Sequence, residues 1–159
     1  MRARTLLIPI ALCAVAACLG DTTSPTIDCP DPGFTTTTRG DTVVSNSTLR
    51  YINLSVGTGA TAEVCRVAAV RYVGRLATGE VFDSTDTGAT LRFSPGLDAI
   101  IPGFAEGVLG MKVGGQRRLI IPPALGYGPG TRPARGPGFA AIPANATLVF
   151  DITLVGTGQ

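Results

Sequence analysis

The sequence contains no histidine in its 159 residues. This excludes Ser-His-Asp triads, histidine metal sites and imidazole pH switches. Charge surplus is missing as well. The 13 Lys+Arg include Arg2 and Arg4, so removing the first 17 residues leaves 13 − 2 = 11 against 11 Asp+Glu. No basic patch argues for nucleic acid. No segment repeats. The apolar run near the start is too short to span a bilayer, and cysteines are few: Cys13, Cys18, Cys29 and Cys65. Two lone cysteines after the first 18 residues make a poor metal or redox centre, so no metal and no cofactor is expected.

What is abundant is turn chemistry. The chain has 21 Gly and 12 Pro with 45% hydrophobic residues, which favours a turn-rich all-β or α+β domain over a helical bundle. One convincing helix stands out, in IIPGFAEGVLGM at 100–111. Pro102 suits the first helical position because its φ is fixed and its missing N–H would be unpaired there anyway, and Gly110 suits the stop. Phe104, Val108 and Leu109 share one side, and Glu106 and Lys112 are expected in water. A helix this short forms only because something packs on it. The surrounding segments alternate like strands: LRYINLSVG from Leu49, VCRVAAVRYVGRL at 64–76, EVFDS, LRF, QRRLIIP and TLVFDITLVG. Several antiparallel strands with one inserted helix make an α+β domain. It is expected over residues 49–159, with a functional pocket where helix and sheet meet.

The N-terminus reads MRARTLLIPIALCAVAAC: two arginines, an apolar run and small residues. It has the form of a signal peptide. Val15, Ala16, Ala17 and Cys18 resemble the bacterial lipobox, which implies removal of residues 1–17 and lipidation of Cys18. Two or more acyl chains anchor stably where one does not, so attachment to a membrane surface at the cell envelope is expected. Leu19 resembles the enterobacterial pattern for sorting to the outer membrane, facing the periplasm. Residues 18–48 are rich in Thr, Ser, Asp, Gly and Pro and read as a tether. Cys29 and Cys65 either form a disulfide pinning the tether to the first strands or remain two free thiols.

Three collinear blocks carry a family resemblance. VRYVGRLATGEVFDS, IIPGFAEGVLGMKVGGQRRLIIPPALGYG and IPANATLVFDITL, in that order, resemble the FKBP-type peptidyl-prolyl isomerases, most closely their bacterial lipoprotein form. The resemblance implies a five- to six-stranded antiparallel sheet wrapped around one short helix. It also implies isomerisation of X–Pro bonds, proline-containing polypeptide substrates, macrolide ligands and no cofactor. The chain has no room for a long helical dimerisation domain, so a monomer is expected. The chemistry is physically reasonable without nucleophiles. Rotation about X–Pro must break amide resonance, a barrier of about 18–20 kcal/mol, and a dry apolar cleft favours the less dipolar twisted amide.

By position, the resemblance implies a catalytic group of Asp83, Tyr127, Ile101 and Tyr72. It implies substrate-binding contacts from Phe82, Leu91, Ile100, Phe104, Ile142 and Phe150. Phe104 would be the floor, the Ile101 N–H and the Tyr127 hydroxyl would hold substrate carbonyls, and Asp83 would bond Tyr72 or polarise the cleft. Read singly, each Phe is also ordinary core and Asp83 an ordinary turn carboxylate or the partner of a nearby arginine. Three departures bear on turnover. Phe104 stands where the family usually has Trp, Leu91 replaces an aromatic, and the loop 84–89 has no arginine to pair with Asp83. The insertion PGTRPARGPGFAA at 129–141 lengthens the flap and reads either as a tolerated surface loop or as an influence on substrate choice. The rival function is a weakly catalytic chaperone or Pro-peptide-binding module with the same fold.

Overall fold

A computed structural model describes residues 33, 35–39 and 41–158. The expected signal peptide at 1–17, Cys13, Cys18, Cys29 and most of the expected tether lie outside the described residues. Eight strands and one α-helix follow in the order β1 (Thr36–Arg39), β2 (Thr42–Ser45), β3 (Arg50–Ser55), β4 (Val67–Leu76), β5 (Val81–Ser84), β6 (Leu91–Phe93), α1 (Pro102–Val108), β7 (Gln116–Ile121) and β8 (Leu148–Gly158), with a 3-10 turn at Pro123–Leu125 between the last two. The sheet order is β1-β2-β3-β7-β8-β4-β5, with β6 also paired to β4. All pairings are antiparallel. Without the β1–β2 hairpin this is the six-stranded sheet around a short helix that the sequence implies.

Period-two alternation sets the inner face. Ala68, Val70, Gly74 and Leu76 of β4 are buried, as are Leu148, Phe150, Ile152 and Leu154 of β8, while Arg71 faces water. These two strands run side by side from Val67↔Gly158 to Leu76↔Leu148, so four buried residues of each strand share one inner face. Gly74 has no side chain because the rings of Phe82 and Phe150 fill the space; a Cβ there would lie 2.7 Å from Phe82 Cζ.

Pro102 opens α1 behind Ile101, and Gly110 leaves it at φ 73°. The helix rests on β7 through two glycines. A Cβ on Gly103 would fall 2.5 Å from Ile121 Cγ2, and one on Gly107 2.3 Å from Leu119 Cδ1. Arg117, buried on β7, closes the far end. Its Nη1 donates to the carbonyls of Gly107 (2.8 Å) and Leu109 (3.1 Å), and its Nε to Asn53 Oδ1 at 2.8 Å. Helix-terminal carbonyls lack partners of their own, and a cation also suits the negative end of the helix dipole.

Two expectations are corrected. Glu106 does not stay in water: it is only 9% exposed, and its carboxylate accepts from Ser47 Oγ at 2.6 and 2.8 Å. The hydroxyl supplies the partner that makes burial tolerable. The tether does not extend to residue 48, because Thr36–Arg39 and Thr42–Ser45 form a hairpin that β3 receives. Thr and Val have strand propensity, and a sheet edge supplies backbone partners even to a segment with little to bury. Cys65 is disulfide-bonded rather than a free thiol; Cys29, its expected partner, lies outside the described residues.

Gly107→Ala tests the helix–sheet contact. Alanine is the better helix former by about 1 kcal/mol, but overpacking against fully buried Leu119 costs about 1–3 kcal/mol, so a net loss in urea unfolding is expected. Equal or greater stability would show that helix and sheet are not in such close contact.

Candidate active site

Three rings, Phe104, Tyr72 and Phe150, meet where α1, β4 and β8 converge. Phe104 on the helix, 2% exposed, lies 5.0 Å from Phe150 and 5.4 Å from Tyr72, both edge to face. Phe93 of β6 backs Phe104 at 5.6 Å, and Phe82 of β5 backs Phe150 at 5.4 Å. Edge-to-face pairs suit the aromatic quadrupole and hold each ring in one orientation. Above Phe104 opens a cavity of about 320 Å³, walled by Tyr72, Asp83, Leu91, Ala99, Ile100, Ile101, Tyr127 and Phe150. It is apolar below and carries polar groups at its rim, the ordinary make-up of a small-ligand or peptide pocket.

The polar groups divide into occupied and available. Asp83 is occupied: Oδ2 accepts from the Tyr72 hydroxyl at 2.6 Å, and Oδ1 accepts from the Ser84 N–H at 2.9 Å and from Arg135. Two donors are available among the described residues. The Ile101 N–H meets no acceptor, since it precedes the first helical hydrogen bond. The Tyr127 hydroxyl meets no hydrogen-bond partner, although the Arg132 guanidinium lies over its ring, 5.0 Å from the centroid. Burial, then the bond to Asp83 and its charge, hold the Tyr72 phenol well above its ordinary value. Burial and, after it, the Asp83 charge raise Tyr127 too, against a lowering by Arg132. Both phenols are therefore neutral donors at neutral pH.

Eight of the ten residues singled out in the sequence line this cavity. The other two stand behind it. Phe82 is 4% exposed and supports Phe150; Ile142 is 6% exposed and exchanges backbone hydrogen bonds with Arg132 at 2.9 Å in both directions. The sequence reading missed Phe93 and Ala99. The three-residue LRF gives no sign that its phenylalanine backs the floor. It allowed an arginine partner for Asp83 but found none in the loop 84–89; Arg135 supplies it from the flap, 52 residues further along the chain.

Comparison with known proteins agrees with this geometry. Residues 58–155, more than half of the chain, match the family model described as FKBP-type peptidyl-prolyl cis-trans isomerase. FK506-binding protein 3 of Candida albicans is 46% identical over 100 residues, covering 63% of this chain and 22% of that protein. The chain spans only about a fifth of the length of such fungal relatives. Among solved structures, FkpA from Escherichia coli superposes with a TM-score of 0.63 at 35% identity, over 76% of this chain and 53% of that one. A peptidyl-prolyl cis-trans isomerase from Pseudomonas syringae pv. tomato gives 0.62 at 29% identity, over 76% and 84%. A short glycine-bearing helix under an antiparallel sheet, an aromatic cleft at their junction and a sequence match across both make this chain a member of the FKBP-type peptidyl-prolyl cis-trans isomerase family.

Proposed function

We propose that the chain catalyses cis/trans isomerisation of X–Pro bonds in exported proteins, held at the cell envelope by a lipid on Cys18. The observation that carries the catalytic part is the pairing of two unoccupied donors, the Ile101 N–H and the Tyr127 hydroxyl, with a floor of interlocked rings. The pyrrolidine ring enters over Phe104, and the donors fix the peptide carbonyls on either side. Rotation out of the amide plane moves no proton and breaks no bond. The twisted amide loses resonance and part of its dipole, so an apolar surround that excludes water favours it over the planar form. Asp83 takes no proton in this scheme; it orients Tyr72, whose ring forms one wall.

Leu91 and Phe104 favour a second reading, a Pro-peptide-binding module with weak catalysis. Leu91 gives the wall no aromatic face, and Phe104 gives the floor no N–H donor. The name FK506-binding protein, carried by the fungal relatives, supports FK506 as a competing ligand. The envelope placement rests on the sequence around Cys18. Among the described residues no helix is long and apolar enough to cross a membrane. A monomeric state remains part of the proposal.

Purified protein should accelerate isomerisation of an X–Pro peptide. Tyr127→Phe removes one neutral donor, worth roughly 0.5–1.5 kcal/mol, so about a two- to tenfold loss in kcat/KM is expected. Asp83→Ala, which strips Tyr72 of a charged partner, should cost about tenfold or more. A folded protein with no acceleration would remove the enzyme; peptide binding would then leave the module. Fatty-acid labelling of Cys18→Ala tests the anchor: label and membrane association should both disappear, and their persistence would sink lipidation at this residue.

A further inference from the structure

Resting on the isomerase reading and going beyond it, we propose that Arg135 is a positioning residue. A single guanidinium joins the lengthened flap to Asp83, so the seat of the flap and the setting of the acid depend on the same side chain. Arg135 Nη1 donates to Asp83 Oδ1 and also to the Ser84 carbonyl oxygen at 2.8 Å. The other carboxylate oxygen is held by Tyr72. Asp83 on β5 is thus gripped from β4 on one side and from the flap on the other. Phe139, in the same flap, lies under the guanidinium at 5.4 Å, a cation–π contact that aims it.

The link has a structural consequence. A second cavity, of about 270 Å³, adjoins the first; Tyr72, Asp83 and Leu91 line both, and Arg135 walls only the second. Arg135 therefore stands where a polypeptide leaving the proline pocket would pass. Among the described residues the Arg135–Asp83 pair is the only ion pair joining the flap to the sheet. Beside the two bonds made by Arg135, the Ala140 N–H of the flap donates to the Val81 carbonyl of β5 at 2.8 Å. The two side chains of the ion pair are 50% and 31% exposed, within reach of salt. Such a pair is a reversible tie rather than a fixed strut. It also gives the insertion a role the sequence left open: the loop 84–89 has no arginine, and the flap brings one.

The test compares the full chain with Arg135→Gln and Arg135→Lys, using Arg66→Gln as a control that breaks an exposed pair with Glu63. Amide hydrogen exchange at Ala140 and the kinetics of X–Pro isomerisation are measured at low and high salt. Arg135→Gln should exchange about two- to fivefold faster at Ala140 and lose the salt dependence of the parent. Its KM should rise by a similar factor while kcat changes little, because the flap shapes the entrance and not the floor. Lysine should restore part of both, since it keeps the charge but not the fork, and Arg66→Gln should behave as the parent. Unchanged exchange and KM in Arg135→Gln, or the same salt response with and without Arg135, would overturn the proposal. Exchange that responds as expected in a parent without catalysis would instead sink the isomerase reading and leave the flap tie standing.

Discussion

Two glycines one helical turn apart let α1 lie directly on β7, and the site depends on that approach. Side chains at 103 and 107 would collide with Ile121 and Leu119, lifting the helix and Phe104 with it. The floor of the cleft would rise or tilt, and the rings packed edgewise on Phe104 would lose their partners. Arg117 secures the same approach from the other end by accepting the burden of the helix carbonyls. A seven-residue helix cannot stand alone; here the sheet determines where it sits, and it in turn supplies the floor and the free Ile101 N–H.

From that arrangement the chemistry follows with few parts. Gly74 leaves room on β4 for Phe82 and Phe150, which fixes the ring stack from the sheet side. The half-buried phenols, with Asp83 beside them, stay neutral, so their hydroxyls are donors that carry no charge. The one carboxylate at the cleft accepts from Tyr72, Ser84 and Arg135. Apolar walls, neutral donors and a restrained acid suit a reaction whose barrier is loss of resonance rather than transfer of a proton.

The strands and the helix were legible because their signals are local: period-two alternation in β4 and β8, and proline and glycine bracketing α1. The cleft residues were legible because they fall within contiguous matched blocks. What escaped depends on distant partners. Glu106 looks solvent-facing on a helical wheel, yet Ser47, 59 residues earlier, covers it. The β1–β2 hairpin looks like linker because it has few apolar residues; pairing with β3 stabilises it through backbone bonds, which composition does not report. Arg135 reaches Asp83 only because the flap folds back, and nothing in the spacing of the insertion specifies that return.

The central claim is that a dry aromatic cleft turns the amide without moving a proton, and a pH–rate profile measured in H2O and D2O tests it most directly. Tyr72 and Tyr127 have folded pKa values raised above the ordinary phenol value, so their donor forms are fully present below about pH 10 and are lost only as pH rises beyond it. The account predicts kcat/KM that is flat from about pH 6 to pH 10, with a solvent isotope effect near unity. A bell-shaped profile within that range, with a clear slowing in D2O, would mean that a side chain transfers a proton in the rate-limiting step, and the account would be wrong.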